Sequence, residues 1–200
     1  MKKEKKKKKS KIDVKDLINI GLFTAVYFIF IAPPGILGII PIFMLLLPAM
    51  IGLVGGIPVM LLITKTQKFG ALTICGVVVS LLLAIMGHPW MALILSVPVI
   101  VIADMVMAMG QYKSWKLNSI GYIIFSFWPI GNLLPFYFMR NSYLAFIQDK
   151  YGTDYEATVE GLFSIGMIPI ILITTIIGAW IGAYIAKGIL KKHFKRAGII

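Results

Sequence analysis

Six apolar runs, near 16–33, 41–63, 70–87, 91–109, 118–138 and 158–186, decide what this chain can become. Each approaches or exceeds the roughly 20 residues that cross about 30 Å of hydrocarbon at a rise of 1.5 Å per residue. Hydrophobic residues make up 59% of the 200 positions and charged residues 14%, too few to build the polar shell of a soluble domain. A backbone in lipid must satisfy its own hydrogen bonds, so the runs are expected to be helices. The expected fold is therefore an all-α integral membrane protein with six transmembrane helices. A basic head (1–15) and a basic tail (191–200) flank a membrane domain at 16–190.

Pro41, Pro48 and Pro58 interrupt the second run, which also reads as two short passes. Seven crossings would then place the Lys-rich head and tail on opposite sides, against the positive-inside rule. With six, 18 of the 20 basic residues share one side: the head, Lys65, Lys68, Lys113, Lys116, Lys187 and the tail. Only Arg140 and Lys150 lie on the other, beside Asp149, Asp154, Glu156 and Glu160. The expected topology has both termini in the cytoplasm and several passes through the cell (plasma) membrane.

The Lys run precedes a full-length span, not the short apolar stretch of a secretory signal, so the first helix is expected to be retained. Lys5 to Lys9 lack interleaved aromatics and read as a topogenic signal with anionic-lipid contact, not as a nucleic-acid site. Cys75, alone of its kind, reads as a small packing residue.

No HExxH, GxSxG or GxxxxGK[ST] string and no cluster of His or Cys occurs, so neither catalysis, a metal nor a cofactor is expected. Energy for uphill transport would have to come from partners. Polar groups instead gather toward the outer ends of the spans. Trp128, Asn132 and the prolines Pro129 and Pro135 bend the outer third of span five; Tyr137 and Arg140 follow, and His88 and Trp90 occupy the turn after span three. These six residues form the candidate solute site, suited to an anionic or heteroaromatic solute. Asn132 equally reads as an amide that bonds a carbonyl freed by Pro135.

Pro33, Pro34, Gly35, Gly38 and Pro41 read as a stiff loop over a pocket mouth or as a tight interhelical turn. Residues 142–152 read as a short amphipathic helix on the outer surface. Thr153 and Glu156 have capping-box spacing, which starts the last helix near Asp154 and runs it inward as one rod. Asp104 is the one formal charge well inside a span and carries a structural or coupling role, with Lys65 or Lys113 as the expected counter-charge. Gly178, Gly182 and Ala186, with Ala179 and Ala183, are expected to pack internally. Gly21 and Ala25, four apart in span one, are the expected docking face for another protein.

Three strings, Lys15-Asp16-Leu17-Ile18, Gly110-Gln111-Tyr112-Lys113-Ser114 and Lys191-Lys192-His193-Phe194-Lys195-Arg196-Ala197-Gly198-Ile199, resemble an S component of the energy-coupling factor (ECF) transporters, of the MptD-type group also labelled Trep_Strep. The resemblance runs from about Lys15 to Ile199. It implies a subunit that captures a micronutrient outside and associates with a transmembrane T protein and two ABC-type ATPases, whose ATP hydrolysis topples it to release cargo inward. It also implies an AxxxA docking face in the first helix, where Ala25 matches and Gly21 replaces the first Ala, and cargo between the outer halves of spans four to six. Two other readings stand beside it: a self-sufficient oligomeric carrier or channel, and a membrane scaffold without a ligand.

Overall fold

The computed structural model describes residues 11–191, so most of the basic head and nearly all of the basic tail lie outside the described residues. The described chain is helical. The order is α1 (Val14–Leu37), α2 (Pro41–Val54), α3 (Gly56–Thr66), α4 (Ala71–Ile85), α5 (Ala92–Met109), α6 (Trp115–Phe125), a 3-10 segment (Trp128–Leu133), α7 (Leu134–Phe138), α8 (Arg140–Tyr151), α9 (Thr153–Leu162), a short 3-10 turn (Ile165–Met167) and α10 (Ile168–Ile189).

Four elements are long and apolar enough to cross a membrane: Val14–Leu37, Ala92–Met109, Trp115–Phe138 and Ile165–Ile189. The pair α2 and α3, bent by 42°, adds a fifth when taken as one span. Helix α4 is apolar but has 15 residues, about 22 Å of rise. The faces turned away from the bundle are apolar: Ile173, Ile177, Trp180 and Tyr184 lie bare along α10, and Ile18, Leu22 and Ile29 along α1. That arrangement suits a protein whose outer solvent is lipid.

Helix α1 begins with reciprocal capping. The Asp13 carboxylate accepts the Asp16 amide and the Asp16 carboxylate accepts the Asp13 amide, at 3.0 and 2.9 Å. Asp16, Ile20, Thr24, Tyr27, Ile31 and Pro34 then recur at helical spacing on its buried face. The helix runs through Pro33 and Pro34 to Leu37, and Gly38 to Ile40 make a tight turn into α2, where Pro41 takes a first-turn position. The interhelical turn, not a loop across a pocket, is the form this segment takes.

The second run is a pair of helices meeting at Gly55. A Cβ there would lie 2.6 Å from the Tyr27 ring, so only glycine lets the elbow rest against α1. Beside it, α10 packs on both halves of the pair. A Cβ at Gly56 would strike the Gly182 carbonyl, and Cβ atoms at Gly178 and Gly182 would strike the carbonyls of Ala49 and Gly52. The small residues of the last helix are thus spent on internal packing, as the sequence suggested.

The last apolar run differs from its sequence reading. Thr153 does not cap a long rod: Gly152, at φ +89°, precedes α9, which ends at Leu162, and α10 starts afresh after the Ile165–Met167 turn. The reason is packing. Val159 and Phe163 are fully buried in an apolar cluster with Leu45, Phe136, Ile147 and Ile171, and they turn the chain over the bundle instead of along it. The segment at 142–152 is helical, as α8, and buries Leu144 and Ile147 in the same cluster while Phe146 and Tyr151 stay exposed, so its apolar side chains are not confined to one face.

Contacts gather the start of α1, the α3–α4 turn, the α5–α6 turn and the end of α10 at one end of the bundle. Lys68 pairs with Asp13 and Asp16, and Asp104 holds the start of α4 together with Tyr112. Lys187 stands 4.9 Å over the Trp115 ring. That end carries Lys65, Lys68, Lys113, Lys116 and Lys187, while the α1–α2 turn, the α4–α5 turn and the α7–α9 cap form the opposite end.

Candidate binding site

The six residues of the expected site separate into two groups. His88, Trp128 and Asn132 line one crevice with Ser80 and Ser96, beneath the α4–α5 turn. Trp90 does not line it and is 70% exposed. Arg140 and Tyr137 belong to the neighbouring cap. The guanidinium bonds Glu160 at 3.0 Å and sits 4.6 Å over the Phe136 ring, and Tyr137 packs edge-on against Phe136, its hydroxyl enclosed without a partner.

The crevice owes its place to the break in the fifth apolar run. Helix α6 ends at Phe125, and the 3-10 turn that follows aims Trp128 inward and brings Gly131 against α5. A Cβ at Gly131 would lie 2.6 Å from the Ala92 carbonyl. Trp128 is 1% exposed, and its indole nitrogen donates to the Tyr27 hydroxyl at 2.8 Å. The single hydrogen of the Ser96 hydroxyl is shared between the carbonyls of Ala92 and Trp128, at 2.7 and 2.9 Å, and Ser80 donates to the Gly76 carbonyl at 2.9 Å. Asn132 donates from Nδ2 to the Pro129 carbonyl at 3.2 Å, whereas its Oδ1 is buried and unpartnered. So the amide does bond a backbone carbonyl, although that of Pro129, and keeps its acceptor free.

His88 sits on the exposed rim with Nδ1 3.2 Å from the Leu83 carbonyl, which can only accept, so Nδ1 carries the proton. Partial burial of the ring lowers its pKa below the usual 6.5, opposed by that carbonyl bond and helped by the charge of Lys150. At neutral pH the ring is uncharged and Nε2 is an acceptor. The free space among these groups, about 10 Å³, is enough for one water.

Ser80 and Ser96 were not among the residues singled out in the sequence. Hydroxyls inside apolar runs were the available signal, since a polar side chain in a membrane helix needs a partner or a cavity.

The docking-face residues are bare. Gly21 and Ala25 lie on the exposed side of α1, and a Cβ at Gly21 would meet nothing within 4 Å. Residues 14–196 match the family described as "Hypothetical bacterial integral membrane protein (Trep_Strep)".

The chain belongs to the Trep_Strep family.

No curated protein and no solved structure matches it. Within this Trep_Strep protein Asp104 is fully buried, and neither Lys65 nor Lys113 pairs with it among the described residues. Hydrogen bonds replace the expected counter-charge. Oδ2 accepts the amides of Gly70 and Thr73 and the Thr73 hydroxyl at 2.9, 3.0 and 2.7 Å, and Oδ1 accepts the Tyr112 hydroxyl at 2.6 Å. The carboxylate thereby caps α4 from α5, where the positive end of the helix dipole favours it. Tyr112, at φ +59°, and the Asn118 amide that bonds its carbonyl shape the turn around that clasp.

Proposed function

We propose that this chain is the substrate-capture (S) subunit of an ATP-driven micronutrient importer of the plasma membrane, with a transmembrane T protein and two ABC-type ATPases as partners. In this reading α4 counts as a sixth, short crossing, both termini are cytoplasmic, and the α7–α9 cap and the crevice face outward. The reading rests on the three strings that resemble ECF S components and on membership of an integral membrane family. The chain itself is neither an enzyme nor a carrier of cofactors.

One observation carries most of the weight. The glycines Gly52, Gly55 and Gly56 of the α2–α3 pair and Gly178 and Gly182 of α10 are each filled by a neighbouring helix, whereas the Gly21 and Ala25 pair on α1 is open. A small-residue stripe in a membrane helix permits close backbone approach, and here the approach is left for another molecule. The same open face would suit a second copy, which is how a self-sufficient oligomeric carrier would be built.

Co-expression with a T protein and its ATPases separates the two. Capture predicts ATP-dependent uptake in proteoliposomes and co-purification that Gly21→Leu abolishes. Solute movement by the purified chain alone, with Gly21→Leu disrupting an oligomer, would sink the proposal.

A further inference from the structure

Donor hydrogens in the crevice point away from its free space. The Ser80 and Ser96 hydroxyls, the Trp128 indole and His88 Nδ1 all direct their hydrogens to backbone carbonyls or to Tyr27. Asn132 uses one N–H on Pro129 and leaves a buried Oδ1 with no partner. What remains is a set of lone pairs, on two serine oxygens, Asn132 Oδ1 and His88 Nε2, with one amide N–H beside them.

Formal charge is missing from the same place. No Asp, Glu, Lys or Arg lines the crevice. Arg140, the cation nearest in sequence to Asn132, is held by Glu160 and the Phe136 ring, and Lys150, on α8, lies over the Phe146 and Tyr151 rings at 5.7 and 5.4 Å. An anion would meet lone pairs with only the field of Lys150 at His88 in its favour, and a cation would meet that same field with no lining carboxylate to offset it. Burying either charge without a partner costs several kcal/mol, whereas a neutral donor satisfies acceptors that are otherwise orphaned.

We infer that the crevice selects an uncharged solute that presents N–H or O–H groups, such as a carboxamide or an amino-substituted heteroaromatic ring, and discriminates against carboxylates and ammonium ions. This rests on the capture reading and narrows its substrate class. The crevice as it stands holds one water, so binding of a ring requires the Met86–Trp90 turn, which carries Gly87 at φ +96°, to move away from Asn132.

The test uses the full chain in detergent micelles and three pyridine derivatives of matched shape: carboxamide, carboxylate and aminomethyl. Thermal shift at millimolar ligand reads binding without requiring transport. The carboxamide is expected to bind at least about tenfold more tightly than either charged form. Asn132→Asp should move the preference to the aminomethyl cation. If that variant does not fold, Ser80→Ala, which gives up only a bond to the Gly76 carbonyl of its own helix, should weaken the carboxamide several-fold, and unchanged carboxamide binding overturns the inference. Carboxylate or aminomethyl binding as tight as the carboxamide overturns the substrate class and leaves the capture reading standing. Absence of binding by all three, or an unchanged preference in Asn132→Asp, also overturns it, while the capture reading is judged separately by partner co-purification.

Discussion

The indole of Trp128 donates to the hydroxyl of Tyr27, so the wall of the crevice is fastened to the helix that carries the open face. Both partners are almost fully buried, at 1% exposure each. Tyr27→Phe leaves an indole N–H without an acceptor and is expected to cost about 1 to 3 kcal/mol. A double-mutant cycle with Trp128→Phe in a detergent unfolding titration checks it: the two losses should fall well short of adding, and strict additivity would show the bond to be energetically silent.

Asp104 is expected to behave as a structural clasp. Asp104→Ala strands two amides and two hydroxyls and should lower stability by roughly 3 kcal/mol or more, because several buried donors lose their acceptor together. Asp104→Asn retains one acceptor oxygen and should lose about half as much. Membrane abundance and melting temperature should fall in step with transport; loss of transport at full stability would mark a coupling group instead.

Size changes on the two glycine faces should have opposite signatures. Gly182→Leu drives a side chain into the α2 backbone and should abolish accumulation of folded protein, since nothing there can yield. Gly21→Leu enters open space and should shift stability by less than about 0.5 kcal/mol. Comparable losses of monodisperse protein for both, by size-exclusion chromatography, would contradict the packing.

The ion pairs of Lys68 define a pH window. The Asp13 carboxyl is held below its ordinary 3.8, first by the Asp16 amide and then by Lys68; Lys68 is held above its ordinary 10.5, first by Asp16. The Asp13 contribution is present above about pH 4 and is lost as pH falls further; that of Lys68 is present below about pH 10.5 and is lost as pH rises through its elevated value. Lys68→Met should lower the melting temperature on the plateau between these limits, remove the alkaline shoulder and shrink the acid one, which the Asp16 amide still sustains. A pH–melting profile that the substitution merely offsets would exclude the clasp.

Hydropathy alone located the long apolar helices, because lipid forces long helices whatever packs against them. Breaks within the runs were harder to read. Pro41, Pro48 and Pro58 announced trouble in the second run, but the elbow falls at Gly55, where the Tyr27 ring from another helix needs the space. In the last run Thr153 and Glu156 imitated a helix start, and the deciding residues, Val159 and Phe163, act through partners far away in sequence. The crevice was legible where polarity was conspicuous, at Asn132, Trp128 and His88. Arg140 lies outside the crevice, bonded to Glu160 across 20 residues, and Ser80 and Ser96 went unnoticed because a hydroxyl that bonds a carbonyl one turn back changes no periodicity.

Gly152 stands at the tip of the α8–α9 hairpin, with nothing within 4 Å of the Cβ it lacks. The hairpin is pinned at its base by Arg140 on Glu160, remote from the tip, so an epitope spliced in at Gly152 leaves that pin and the bundle untouched. Antibody staining of intact against permeabilised cells would then turn one loop into a compass for the whole molecule: decoration of unbroken cells reads the sidedness of every other turn directly from the geometry.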